Sequence, residues 1–293
     1  MERKSRIDAT GALILIVFMM VLGLNQVAVK LVNGGLAPVF QAGLRSLCAL
    51  PIIWAYCFWR GTKINLNRAI LIPGLATGFA FAFEFALLFE AVQHTTVARA
   101  SVFFYTMPFW VAIGAHFLIP GERLTLIRVI GLVLAGLGVV IALSNKNIAA
   151  GPNAMQGDLM AMLGATGWAA IAIIARTTKF STIKPELQLW YQLIVSAALL
   201  LPFAFFAGET FTQPTAFHWT IFAVQVLFVV CIGFLTWFWV LSVYPASDMA
   251  SFSFLAPLFG VLFGWLILGE AITWTIIVAL VFVGLGIILV NRR

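Results

Sequence analysis

Residues 118–125 read LIPGERLT, and residues 266–273 read LILGEAIT. Leu, Ile, Gly, Glu and Thr hold the same places in both. The phrase suits a tight helical hairpin, in which glycine closes one helix and glutamate favours the positive start of the next. Its surroundings repeat as well. Pro108 precedes Glu122 by fourteen residues, and Pro257 precedes Glu270 by thirteen. After each turn comes an apolar run with Gly-Leu-Gly near its end, at 136–138 and at 284–286. Lys30 and Arg176 stand at like places before the repeated phrases. The same signals in the same order, written twice, imply two copies of one unit.

That unit belongs in a membrane. Of 293 residues, 63% are hydrophobic and 9% charged, with a mean hydropathy of +1.08. Soluble domains carry about 25% charged residues. The composition therefore excludes a soluble enzyme, and the net charge of +7 does not imply nucleic acid, because basic residues also hold loops on the cytoplasmic side of a bilayer. Cys48, Cys57 and Cys231 lie far apart in apolar surroundings and form neither a metal-ligand spacing nor a disulfide framework. The first apolar run lacks a small-residue cleavage site and reads as a retained span.

Ten apolar runs follow one another at roughly 9–32, 38–59, 69–91, 98–119, 126–144, 157–177, 187–207, 217–242, 247–268 and 272–290. Each is about long enough for a bilayer core. The fold class is thus an all-α integral membrane protein of ten transmembrane helices. Its longest polar stretch, Ser144 to Asp158, divides it into 1–147 and 148–293. With the N-terminus inside, thirteen basic residues fall on the cytoplasmic side and only Lys30, Arg99 and Lys146 outside; the seventeenth, Arg45, lies within a span. Both termini are then cytoplasmic. Five spans per half is an odd number, so the second copy is inverted, an arrangement found around the midplane sites of many secondary transporters.

Polar groups inside lipid are costly and need a reason. Arg45 in span 2 and Glu84 in span 3 reach similar depth, which allows either a static ion pair or a cavity-facing Glu84 that meets a substrate ammonium or a proton. Asn25 and Gln26 in span 1 can line a cavity or bond between helices. Ser101 and Tyr105 lie four apart on one face of span 4; Ser251 and Ser253 occupy the inverted counterpart, span 9. Most of the 27 Phe and 10 Trp face lipid or core. The run Phe79, Phe81, Phe83, Phe85 alternates around its helix and cannot line one pocket. Trp168, near mid-span 6, and Trp237, in span 8, are the aromatic candidates for a pocket, since a buried indole N–H needs a partner. Pro108 and Pro257 lie near mid-span. They predict kinks that free the carbonyls of Phe104 and Ser253, and hence two hinges. Spans 5 and 10 carry almost no polar side chain and suit close helix packing or a homodimer contact.

Two five-helix halves, Pro108 and Pro257 in spans 4 and 9, the doubled Gly-Glu turns, Leu44-Arg45 and Gly167-Trp168 together resemble the EamA family of the drug/metabolite transporter superfamily. Within it the chain is most similar to YddG-type amino-acid exporters. Two departures stand out: Pro120 precedes the first Gly-Glu turn, and span 1 reads Leu22-Gly23-Leu24-Asn25 where relatives often place Trp before Gly. The resemblance implies a multi-pass protein of the bacterial inner membrane that exports small solutes, amino acids and aromatic ones among them. Asn25, Gln26 and helix-end amides would then meet a carboxylate, Glu84 an ammonium, and Trp168 with Tyr105 a side chain. Neither metal nor cofactor is expected, and the chain would work as a monomer or homodimer. Alternatives are an exporter of nucleobases or cationic drugs, an intramembrane enzyme or a scaffold. The sequence carries no phosphate loop, no His-Glu-x-x-His and no paired catalytic acids, so a gradient rather than ATP would drive movement.

Overall fold

In hydrocarbon every backbone N–H and C=O must be satisfied within the segment, and apolar runs of this length satisfy them as helices. The computed structural model describes residues 7–119, 123–144, 151–244, 252–253 and 255–290. The described helices are α1 (Ala9–Val32), α2 (Pro38–Trp59), α3 (Arg68–His94), α4 (Val97–Phe104), α5 (Met107–Leu118), α6 (Leu126–Ser144), α7 (Ala154–Thr177), α8 (Pro185–Phe206), α9 (Ala216–Val224), α10 (Phe234–Val243), α11 (Leu255–Leu268) and α12 (Trp274–Val290). A π-helical stretch, Gln225–Gly233, joins α9 to α10. Eight helical segments among the described residues are long and apolar enough to cross a bilayer, with α4–α5 and α9 through Trp237 each counting as one; α11 and α12 are apolar but shorter.

The helices start and stop where local chemistry requires. Asp8 caps α1 by accepting from Gly11 N–H at 2.8 Å. Pro38 and Pro185 open α2 and α8, where a missing N–H costs nothing. Both of these helices end on a left-handed glycine, Gly61 (φ 61°) and Gly208 (φ 72°). In each, the following residue donates back into the last turn, Thr62 to Cys57 and Glu209 to Ala204.

α3 packs on α7, α6 on α12, α2 on α8 and α1 on α11, while α4 touches both α7 and α11. The α6–α12 contact is so close that a Cβ on Gly131 would stand 2.9 Å from the Gly286 carbonyl oxygen. The small residues of spans 5 and 10 are thus used against each other within one chain. Along α3, Phe81 and Phe85 are buried while Phe79 and Phe83 are exposed, as a helical period requires.

The expected mid-span kink at Pro108 takes another form. The helix stops at Phe104, and Pro108 lies in the first turn of a new helix, α5. Thr106 holds the break, its hydroxyl donating to the Phe103 carbonyl at 2.6 Å. Pro257 likewise falls in the first turn of α11. The Ser253 carbonyl is not free there, since it accepts from Ala256 N–H at 3.3 Å. In span 4 the chain interrupts the helix before the proline, so the ring clash never arises; residues 245–251 and 254, at the start of span 9, lie outside the described residues.

Candidate functional site

The break in span 4 lies beside a buried polar group. Ser101, in the last full turn of α4, donates to Gln26 Oε1 of α1 at 2.7 Å. Gly260 of α11 closes over this bond, since any Cβ there would collide with Ser101 Oγ. Tyr105 is the residue at which α4 ends, and its side chain lies within electrostatic reach of both Gln26 and Glu84. Glu84 is buried on α3, and its Oε2 makes no hydrogen bond within the protein; the same holds for Asn25 Oδ1. Four sequence-predicted residues, Gln26, Glu84, Ser101 and Tyr105, therefore come together. Trp168 is half-buried on α7 against the main core, and Trp237 stacks on Phe18 with ring centroids 5.2 Å apart. Ser253 lies in the turn before α11, whereas Ser251 falls outside the described residues.

The expected ion pair between Arg45 and Glu84 is not formed. The Arg45 guanidinium lies over the rings of Phe85 and Phe89, at 4.3 and 4.7 Å from their centroids. None of its nitrogens makes a hydrogen bond within the protein. Glu84 remains within Coulombic reach of it. The two rings recur at i, i+4 on α3, 5.8 Å apart and perpendicular, and the cation sits in the corner they form.

A second polar group closes one end of the bundle. Glu270, the glutamate of the second repeated phrase, does not serve the helix that follows it. Its Oε1 accepts from Lys30 Nζ and from Val97 N–H, both at 2.9 Å, and its Oε2 from Ala98 N–H at 3.2 Å. It thus caps α4 from 172 residues away, an anion at a helix N-terminus. Lys30 also donates to the Thr95 carbonyl at 2.8 Å. Next to this, Arg99 forms a buried ion pair with Asp158 of α7, its Nε reaching both carboxylate oxygens at 3.2 and 3.1 Å. Thr95 donates to the same carboxylate at 2.9 Å. Ends of α1, α3, α4, α7 and α11 are tied together here. The glutamate of the first phrase, Glu122, falls outside the described residues. At the opposite end of α1, the Tyr244 hydroxyl donates to Asp8 at 2.7 Å.

Reading the sequence missed three features. Arg99 and Asp158 look like loop charges, although each lies in the first turns of a helix. Gln41 and Gln225, both fully buried, join α2 to the π-helical stretch at 3.2 Å; an amide within each apolar run is the signal that could have found them. The Trp110 indole N–H is buried without a partner.

The profile of the EamA-like transporter family matches residues 9–144 and again 155–292. The Bacillus subtilis protein named "Uncharacterized transporter YoaV" is 27% identical over 90% of this chain and 91% of its own length. Two proteins named "Probable amino-acid metabolite efflux pump" are similar as well. That of Escherichia coli is 29% identical and that of Salmonella typhimurium 30%, each over 92% of this chain and 89% of its own. A crystal structure at 20% identity superposes with a TM-score of 0.68 over 97% of this chain and 96% of its own, which shows a common fold. With that family matched across both halves of a helical, apolar chain, the protein belongs to the EamA-like transporter family.

Proposed function

We propose that the chain is a secondary transporter that exports small organic solutes, amino acids and aromatic ones foremost, across the bacterial inner membrane by alternating access. The observation that carries this reading is the cluster of Gln26, Ser101, Tyr105 and Glu84 around the break in span 4. Burying such groups inside an apolar bundle is costly, and function is the ordinary reason for it. The likeness to two proteins named amino-acid metabolite efflux pumps supports the choice of solute. In this reading Glu84 meets the substrate ammonium. Asn25, Gln26, Ser101 and, from span 9, Ser251 and Ser253 supply polar lining, and Tyr105, Trp168 and Trp237 hold the side chain.

The reading places ten spans in two inverted halves, 1–147 and 148–293. Its support is the double match of the family profile and the packing itself. Span 3 meets span 6 as span 8 meets span 1; spans 2 and 7, 4 and 9, and 5 and 10 each meet their own counterparts. The thirteen-to-three bias of basic residues supports cytoplasmic termini. The Lys30–Glu270 end is then external, and in this conformation it is tied shut. The break before Pro108 and the turn before Pro257 serve as hinges that loosen the two faces alternately. Because spans 5 and 10 use their small residues on each other, the working unit in this reading is the monomer.

The test is counterflow in proteoliposomes with a solute panel. Labelled phenylalanine or another neutral amino acid should accumulate against unlabelled internal solute, and Glu84→Gln should abolish it. Movement of nucleobases or organic cations without any amino acid would overturn the assignment of solute.

A further inference from the structure

Arg45 is the most fully buried cation among the described residues, with 1% of its surface exposed. A charge at a helix centre costs roughly 2.5–3.5 kcal/mol on insertion scales. Two perpendicular rings of α3 flank its guanidinium carbon, at 4.3 and 4.7 Å from their centroids. Its N–H groups lie in the guanidinium plane, and Nε and both terminal nitrogens have no hydrogen-bond partner within the protein. A planar fork so presented matches a carboxylate with two parallel hydrogen bonds.

The neighbours fit the same ligand. Gln41 lies one turn before Arg45 on the same face of α2. It donates to Gln225, whose own amide N–H group then has no partner and can donate further. Glu84 is close enough to feel the arginine, yet not in contact with it, and offers an unpartnered Oε2. A cation and an anion held apart, each with unsatisfied hydrogen-bonding edges, match the two ends of a zwitterion. Resting on the amino-acid reading above, we propose that Arg45 binds the α-carboxylate of the substrate while Glu84 takes its ammonium, so that the pair selects zwitterions over solutes bearing one charge. The perpendicular rings of Phe85 and Phe89 position the fork, and Gln225 adds a donor.

Three probes separate the two ends: phenylalanine, phenethylamine, which lacks the carboxylate, and 3-phenylpropionate, which lacks the ammonium. Uptake of each is measured in proteoliposomes of wild type, Arg45→Gln, Arg45→Lys and Glu84→Gln. Arg45→Gln should lower the ratio of phenylalanine to phenethylamine transport roughly thirtyfold or more. Glu84→Gln should lower the ratio of phenylalanine to phenylpropionate instead. Arg45→Lys keeps the charge, and so insertion, but loses the two-pronged geometry; it should move the first ratio in the same direction by less. A wild-type ratio in both Arg45 variants, or a loss of all three probes in equal proportion, overturns the inference. Wild-type protein that moves no amino acid overturns the underlying reading of function, a separate result.

Discussion

Replacing Glu270 by glutamine removes one charge from a side chain that ties α1 to α4 at the Lys30 end. The carboxylate accepts three hydrogen bonds, from Lys30, Val97 and Ala98. The amide that takes its place has one oxygen. If that oxygen stays on Lys30 and Val97, the new NH2 group faces the Ala98 N–H, and that bond is lost. The two bonds that survive lose their charge assistance. Hydrogen bonds to charged groups contribute about 1.5–3 kcal/mol, and an anion at a partly buried helix N-terminus up to ~2 kcal/mol. The Lys30 side chain is 28% exposed and retains the Thr95 carbonyl, which discounts its share. Closure of this end should weaken by about 2–3 kcal/mol, or roughly 30- to 150-fold in the open population. Val97, fully buried beneath the contact, reports it. In a background with Cys48, Cys57 and Cys231 replaced, the rate at which Val97→Cys reacts with a soluble thiol reagent should rise by that factor on adding Glu270→Gln. An unchanged rate in a variant that elutes as a monodisperse species would show that Glu270 does not hold this end closed.

The Arg99–Asp158 pair gives a harsher result. Arg99→Gln or Asp158→Asn leaves its partner buried and should destabilise by about 3–5 kcal/mol, whereas both changes together should recover much of that loss in a detergent melting series. The glycines divide by what surrounds them. Gly167→Ala would press a methyl group to 2.8 Å from the Ala80 carbonyl oxygen and 3.1 Å from Glu84 Cβ, a cost of about 1–3 kcal/mol. Gly136→Ala and Gly284→Ala meet nothing within 4 Å and should melt at the wild-type temperature or above it. Thiols placed at residues 122 and 270 should react with impermeant reagent from opposite faces; reaction of both from one face would end the inverted-repeat reading.

Patterns of order and polarity are legible without any coordinates. The doubled phrase marks two copies, and the apolar runs mark the described helices to within a few residues, the start of span 9 lying outside the described residues. Gln26, Ser101, Tyr105 and Glu84 can be chosen because a polar side chain inside such a run is visible by its cost. What joins distant segments is not legible. Glu270 looks like the cap of its own hairpin because position in sequence says nothing of the α4 terminus folded beside it. Arg45 and Glu84 look like a pair because charge is visible in a sequence, whereas the corner formed by Phe85 and Phe89 depends on which face of α3 meets α2. The break at Tyr105 and Thr106 reads from the sequence as a kink at Pro108, because nothing in the residue order shows that the backbone resolves the conflict upstream of the ring.

The π-helical stretch from Gln225 to Gly233 sets the terms on which span 8 can turn. Its hydrogen bonds run to the fifth residue rather than the fourth. A slip between these two patterns winds or unwinds the rod while trading each amide bond for another, so hydrocarbon never meets a bare carbonyl. The stretch begins at the Gln41 contact and ends shortly before the Phe18–Trp237 stack on α1. The stretch thereby links the Gln41 contact to the Phe18–Trp237 stack through a segment whose backbone groups stay paired in either pattern.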